Sequence, residues 1–168
     1  LETVTFLSNT DAPAESLAIG KYAFNKCSAL ASVVLPTDRP LTVQNSAFAD
    51  CAKLASINSA DCNFVEIGSK SFANTALTEF TVTNVDATIK EDAFNSETPI
   101  TVYGPLGSAL QACAVNDNVT YAALGLEEDE NLLIQDGFVV DKTTGVIRQY
   151  IGDVKELTIP AEIGGVTI

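Results

Sequence analysis

Apolar and polar positions recur along the first part of the chain with a period of about 23 residues. Four phenylalanines, 24, 24 and 22 residues apart, mark this period: Phe24, Phe48, Phe72 and Phe94. Each marker precedes a segment in which apolar and polar residues alternate, as in Leu30-x-x-Val33-x-Leu35. Such alternation is typical of a β-strand with one buried face. It predicts a short strand in each unit, with Val33 and Leu35 pointing inward and Ser32 and Val34 pointing outward.

The residues around each phenylalanine follow a different pattern. In the first unit Ile19, Ala23, Phe24 and Cys27 lie at i, i+4, i+5 and i+8, close to one face of a helix. This spacing predicts a short helical turn before each strand. No single unit can bury both its strand and its turn, so stacked units have to supply the missing contacts. The periodicity therefore predicts a solenoid with the phenylalanines in a continuous core.

Several residue types recur together in these units, and the first complete copy reads Ile19-Gly-x-x-Ala-Phe-x-x-Cys-x-x-Leu-x-x-Val-x-Leu-Pro36. This string resembles the BspA-like, or Treponema-type, leucine-rich repeat over about residues 1–103. The resemblance implies an α+β solenoid, a right-handed superhelix with one short strand and one short helical turn per unit of about 23 residues. The third unit departs from it, with Ser71 in the alanine position and Ala76 near the cysteine position. The fourth unit lacks the cysteine and the following leucine, which predicts that the array ends there.

The residues after the array predict a cap, a linker and a second structured segment. A turn, an N-cap at Ser108, a short helix and a strand at 118–122 form the cap, so the first domain is 1–123. The charge run 127–130 predicts an acidic linker over 124–131, with a calcium site as the weaker alternative. Within 132–168 we predict a hairpin turning at 141–145, then the start of a second, truncated array at Val154-x-x-Leu157-x-Ile159-Pro160. Because the chain begins and stops in mid-pattern, we expect a longer protein.

The charge balance narrows the classes of partner. Asp and Glu outnumber Lys and Arg by 22 to 9, which gives a formal net charge of -13. Nucleic acids and anionic membranes are bound mainly through clusters of Lys and Arg, and the sequence contains no basic run. We therefore predict no nucleic-acid partner. The chain also lacks an apolar run of the roughly 18 residues that a spanning helix needs, which predicts no direct membrane insertion in this segment.

The residue types also limit the chemistry. The chain contains no histidine, which excludes Ser-His-Asp and Cys-His catalysis and histidine-ligated metals. A pair of carboxylates as in glycosidases stays open, although no feature nominates a pair. We predict no enzyme activity, no cofactor and no metal. The tripeptide Asn118-Val119-Thr120 is a formal glycosylation acceptor, although it falls on the predicted cap strand.

The four cysteines favour free buried thiols over disulfides. Cys27 and Cys51 each follow an Ala-Phe pair by three residues and so occupy the same position in successive units. A small buried apolar group suits this position, and free cysteine serves as one. A bridge between Cys27 and Cys51 is the alternative, because stacked strands lie about 5 Å apart.

With catalysis disfavoured, two functions remain. The first is a scaffold that binds a protein or glycan; the family resemblance implies a secreted or cell-surface, adhesin-like protein and an extracellular location. The second is a structural spacer, or an accessory domain of a larger surface enzyme. For the first we predict a binding site on the concave, outward face of the strands, with a solvated face that binds nothing as the alternative and the turn side around Lys21, Asp50 and Lys70 as the next candidate. The predicted site comprises Thr3, Thr5, Ser32, Val34, Ser56, Asn58, Glu79, Thr81, Thr101 and Tyr103.

Overall fold

The computed structural model describes residues 1–7, 15–124, 131–135, 137–150 and 157–168, and it contains two compact units, Leu1–Ala122 and Ala123–Ile168. The predicted acidic linker run at 127–130 lies outside the described residues. The strands of the first unit are β1 (Thr3–Thr5), β2 (Leu17–Ile19), β3 (Ser32–Val34), β4 (Pro40–Val43), β5 (Ser56–Ile57), β6 (Asn63–Ile67), β7 (Glu79–Thr81), β8 (Thr88–Ile89), β9 (Ile100–Gly104) and β10 (Val119–Ala123).

The strands of the first unit stack in parallel ladders, as a solenoid requires. We call β1, β3, β5, β7 and β9 the front strands; β1, β3 and β5 pair in parallel, and β7 pairs in parallel with β9. The back strands β2, β4, β6 and β8 form a second parallel ladder. The repeat spacing is about 23 residues. The predicted solenoid is confirmed, and the back strands are an element that the sequence pattern did not reveal.

The predicted helical turns are runs of tight turns instead. In the first of these segments, Tyr22 and Lys26 have φ angles of 61° and 60°, in the left-handed region that interrupts a right-handed helix. The same conformation recurs one repeat later at Ser46 and Asp50, and two repeats later at Lys70 and Asn74. Consecutive segments are joined by backbone hydrogen bonds, such as that from the Phe24 amide to the Ala47 carbonyl at 2.8 Å. The turns therefore stack on one another much as the strands do.

The predicted phenylalanine core is present. The rings of Phe24, Phe48, Phe72 and Phe94 stack nearly parallel, with neighbouring centroids 5.1, 5.5 and 5.7 Å apart. Phe80 from β7 packs against the end of this column, 4.8 Å from Phe72 and 4.9 Å from Phe94. Because burial of such large rings is the main favourable term in folding, this column ties turns, front strands and back strands into one core.

Close contact between turns also explains the glycine that follows the last residue of β6. A Cβ on Gly68 would lie 2.7 Å from the backbone nitrogen of Asn45 and closer still to its side-chain oxygen. Gly20 holds the same position in the first described turn segment and has no atom within 4 Å of such a Cβ. Glycine is therefore required at position 68, where a side chain would collide with the preceding turn segment, but not at position 20. Gln44 and Lys90 occupy the same position in the second and fourth segments.

A short helix and a strand, which we call the cap, follow β9. A 3₁₀ helix, Ala109–Val115, buries Leu110 and Cys113, and β10 then pairs with β9. Ser108 occupies the N-cap position but makes no capping hydrogen bond with its side chain. The Tyr121 hydroxyl lies 2.8 Å from the Pro105 carbonyl and anchors β10 to the start of the cap.

The second unit is an antiparallel structure. Its strands are β11 (Leu132–Gln135), β12 (Phe138–Asp141), β13 (Ile147–Tyr150), β14 (Glu162–Ile163) and β15 (Val166–Thr167). Strand β12 pairs antiparallel with both β11 and β13, and β14 pairs with β15. Phe138, Val140 and Ile163 form a small core.

Residues 141–145 join β12 to the antiparallel strand β13. Asp141 accepts hydrogen bonds from the amides of Thr143 and Thr144 at 3.0 Å each, and its carboxylate lies 2.7 Å from Arg148. The hydrogen bond from Arg148 and those from the turn lower the pKa of Asp141 to about 2.

The restarted repeat strand is wrong over its described part, 157–160, which forms no strand. Leu157 and Ile159 are exposed there, whereas the matching residues of a repeat are buried. Residues 154–156 of that prediction lie outside the described part of the chain. A repeat strand is stabilised by pairing with the strand of a neighbouring repeat, whereas the strands that follow 157–160 in the chain, β14 and β15, pair antiparallel with each other.

Candidate functional site

The outward side chains of the front strands form columns across the stack. Parallel pairing places Ser32 between Thr3 and Ser56, and it places Val34 beside Thr5. These five residues, Thr3, Thr5, Ser32, Val34 and Ser56, are the first patch. In the same way Glu79 lies beside Thr101, and Thr81 beside Tyr103. These four, Glu79, Thr81, Thr101 and Tyr103, are the second patch.

The alternation inferred from the sequence places these side chains correctly. Thr3, Thr5, Val34, Ser56 and Glu79 are exposed. Ser32, Thr81, Thr101 and Tyr103 are partly exposed, while the intervening Val33, Phe80 and Val102 are buried in the core. Nine of the ten predicted site residues therefore share the solvent side of the front strands; that they bind a ligand stays a prediction.

Asn58 is the exception, because its side chain is not free to bind. Its amide oxygen accepts a hydrogen bond from the Leu35 amide at 2.7 Å, and its amide nitrogen donates to the Leu35 carbonyl at 2.9 Å. The side chain thus pairs with the main chain where β5 has already ended. The expectation that Asn58 points to water is wrong, since a backbone that needs two partners competes for the amide.

The two patches are separated by a break in the front ladder. After β5 the chain enters a 3₁₀ helix, Ser59–Asp61, and β5 does not pair with β7 in the described structure. The hydroxyl of Ser59 accepts a hydrogen bond from the Thr81 amide at 2.9 Å, so a side chain replaces the missing strand contact. No feature of the sequence pattern indicated this break.

The patches differ in charge. The first consists of hydroxyls and one valine, and it carries no ionisable side chain. The second contains the carboxylate of Glu79 beside the phenol of Tyr103. Both are lightly charged parts of a strongly acidic chain, which suits recognition by hydrogen bonds and apolar contact rather than by charge.

Beside the front strands lies an open polar groove that the sequence analysis did not identify. It is lined by Asn74, Thr75, Ser96, Glu97 and Thr98, and it continues to Asn116, Asp117 and Asn118. Two of its side-chain amides are already hydrogen-bonded to the backbone of the repeat array. Asn118 donates to the Ser96 carbonyl at 3.0 Å, and Asn116 donates to the Glu91 carbonyl at 2.8 Å. The Asn118 side chain, the formal glycosylation acceptor, is thus engaged in a hydrogen bond.

The remaining chemistry of the described residues is limited. All four cysteines are free thiols; Cys51, Cys62 and Cys113 are buried, and Cys27 is partly exposed. Within the described ranges no group of His, Cys, Asp and Glu is arranged to hold a metal ion. Nor does that part of the chain contain a helix with the length and apolar character needed to cross a membrane.

Comparison with known proteins agrees with this architecture. None of the curated proteins compared with the chain matches it. The family described as "BspA type Leucine rich repeat region" matches residues 3–103 in 6 copies. These residues contain the phenylalanine column, both parallel ladders and the stacked turns. The chain therefore belongs to the BspA-type leucine-rich repeat family.

Proposed function

We propose that the repeat array is a non-catalytic binding module of a secreted or cell-surface, adhesin-like protein, and that it takes a protein or glycan on the face of the front strands. The observation that carries the proposal is the column of hydroxyls Thr3, Ser32 and Ser56. Parallel pairing brings them side by side although they lie far apart in sequence. Among the described residues their side chains have no intramolecular hydrogen-bond partner, so their donors and acceptors are available to a ligand.

The fixed backbone beneath this hydroxyl column supports the same proposal. The backbone under the column is fixed by the ladder and by the buried Val33 and half-buried Ile57 on its inner side. Small hydroxyl side chains lose little conformational entropy when they are ordered by a ligand. A preformed row of hydrogen-bonding groups with one apolar residue, Val34, is therefore suited to an extended peptide or a sugar chain.

The non-catalytic part of the proposal rests on residue types. With no histidine in the chain, nucleophiles lack their usual general base, and the buried thiols have pKa values raised away from neutrality. Leucine-rich repeats of this family typically serve as non-catalytic scaffolds.

The test is a triple variant of the front face, Val34→Arg, Ser56→Arg and Thr101→Arg. Arginine at Val34 and Ser56 covers the hydroxyl column, arginine at Thr101 covers the second patch, and all three point away from the core. Asn58 is spared, because its amide holds Leu35. Binding is first screened with immobilised host matrix proteins and a glycan array, and the affinity of each hit is then measured by calorimetry. We expect the triple variant to weaken binding by at least about tenfold, or about 1.4 kcal/mol.

The matched control places three arginines on the back strands, as Ala18→Arg, Thr42→Arg and Thr88→Arg. These residues lie in register on β2, β4 and β8, and the control has the same net charge as the front-face variant. It should retain affinity within about twofold. If the front-face variant binds as well as the control, the site is elsewhere. If the screen yields no partner, the spacer or accessory-domain function takes precedence.

A further inference from the structure

The stacked turn segments carry a concentration of lysines that the linear sequence hides. We call residues 20–27, 44–51, 68–75 and 90–96 together the turn face. Lys21, Lys26, Lys70 and Lys90 all lie on it and are exposed. In sequence they are spread over most of the array and form no basic run. Stacking of the turns brings them onto one side of the first unit.

The charge balance of this face differs from that of the rest of the chain. Its segments contain four lysines against three carboxylates, Asp50, Glu91 and Asp92, a net charge of +1 in a chain of net charge -13. Asp50 accepts a hydrogen bond from the Asn74 amide at 2.8 Å, and Asp92 accepts one from the Ser69 hydroxyl at 2.7 Å. These two carboxylates are thus held by neutral donors of the neighbouring turn.

The lysines themselves lack acidic partners. The two ion pairs found among the described residues both involve arginine, Arg39 with Asp38 and Arg148 with Asp141. In the described part of the chain the ammonium groups of Lys26, Lys70 and Lys90 therefore pair with no carboxylate. The ammonium of Lys21 lies 5.1 Å from the centre of the Tyr22 ring. Glu91 follows Lys90 directly, so the available positive charge is concentrated at Lys21, Lys26 and Lys70.

The other exposed groups on the turn face limit the class of ligand that it can bind. Lys21 and Lys26 belong to the first turn segment and Lys70 to the third, while the ring stacks show that adjacent segments lie 5.1–5.7 Å apart. The side chains of Gln44 and Asn45 in the segment between them are exposed. Their amide oxygens accept hydrogen bonds from the Lys21 and Ser69 backbone amides, so their amide nitrogens are the groups that can donate to a ligand. Tyr22 is 56% exposed and offers one face of an aromatic ring.

We propose that the turn face binds a linear anionic polysaccharide. Its carboxylate or sulfate groups pair with Lys21, Lys26 and Lys70, its hydroxyls bond to Gln44 and Asn45, and a sugar ring packs on Tyr22. A sparsely charged chain fits three ammonium groups spread over three turns. Double-stranded DNA, with one charge per about 1.7 Å, is disfavoured, because its dense charge is repelled by the other acidic faces. This site is independent of the front-face function.

The experiment measures binding of chondroitin sulfate, polygalacturonate, neutral dextran and duplex DNA to the protein at low salt. Both acidic polysaccharides should bind, their affinity should fall as salt rises, and dextran and DNA should bind more weakly. The variant Lys26→Gln with Lys70→Gln should lose at least about tenfold in affinity for the acidic polysaccharides. Its control, Lys53→Gln with Lys142→Gln, removes the same charge from outside the turn face and should lose less than about twofold.

The proposal is overturned if neither acidic polysaccharide binds or if the control loses as much affinity as the turn-face variant. Binding of DNA as tight as that of chondroitin sulfate would also overturn it, since the surface would then attract polyanions without selectivity. Circular dichroism of both variants checks that the fold is retained. A partner found in the front-face screen should bind the turn-face variant unchanged, so failure of one site does not imply failure of the other.

Discussion

At the scale of single residues, each repeat position accepts several residue types when a nearby carbonyl can satisfy a polar atom. In the cysteine position the Cys51 thiol donates to the Phe24 carbonyl at 3.0 Å. In the next unit Thr75, 24 residues later, is buried and donates its hydroxyl to the Phe72 carbonyl at 3.0 Å. Ala76, the residue expected near this position from the repeat pattern, lies one residue further along. The pattern of apolar residues does not predict a buried threonine, because its burial depends on a hydrogen bond to a carbonyl that lies nearby only in the folded chain.

The burial of the cysteines predicts a specific labelling pattern. Cys27 is partly exposed, whereas Cys51, Cys62 and Cys113 are buried. A thiol reagent applied near pH 8 should therefore modify Cys27 alone in the native protein and all four thiols in urea without reductant. Mass spectrometry counts the modified residues. Two cysteines that stay unmodified in urea would reveal a disulfide and contradict the assignment of free thiols.

Titration of the same thiols predicts how the free energy of unfolding depends on pH. Burial raises the pKa of Cys51 and Cys62 from 9.0 to about 11, and that of Cys113 to about 12. Above about pH 9 the unfolded chain releases protons that the folded chain keeps, so the free energy of unfolding should fall between about pH 9 and pH 11 and be insensitive to these groups below that range. A Cys113→Ala variant should show a smaller fall over the same interval. An equal fall in both proteins would mean that Cys113 does not contribute.

At the scale of the elements, the front strands were predictable and the rest of each unit was not. Alternation around Val33 identifies a strand because one face is buried and the other is wet. The back strands have only two to five residues, and each ends in Ile or Val just before a turn, so the apolar residue also fits a helical pattern. The turns could not be predicted, because Tyr, Lys, Ser and Asp adopt the left-handed conformation in them and these residue types do not indicate that conformation in a sequence.

A serine-to-glycine pair distinguishes a stacked turn from a helical one. Ser46 has a φ of 56°, where a side chain costs about 1–2 kcal/mol, so Ser46→Gly should raise the free energy of unfolding by up to about 1 kcal/mol. Ser28 is exposed and is not among the residues of positive φ, so Ser28→Gly should lower the free energy by about 0.5–1 kcal/mol. Urea unfolding measures both. Destabilisation by Ser46→Gly as large as that by Ser28→Gly would favour the helical turn.

At the scale of the whole molecule, the first unit is a stack in which each turn is stabilised by its neighbours. The turn-to-turn hydrogen bonds, the two parallel ladders and the ring column all run along the same direction, and the cap closes the end at Tyr121. Period and ring column were visible in the sequence, since they depend on residue type and spacing. The grouping of the lysines on the turn face was not visible in the sequence, because it depends on how the turns stack. In such an array stability is a sum of terms for each repeat and for each contact between neighbours.

The most direct test of this stack is the free energy of unfolding of Phe48→Ala. The Phe48 ring is fully buried and lies 5.1 Å from Phe24 and 5.5 Å from Phe72, so its removal leaves a cavity between two neighbouring turns. Urea unfolding followed by circular dichroism should show a loss of about 3–5 kcal/mol, against a loss within about 0.5 kcal/mol for the exposed Tyr22→Ala. A loss of less than about 1 kcal/mol for Phe48→Ala would contradict the account, because Phe48 would then not join adjacent turns.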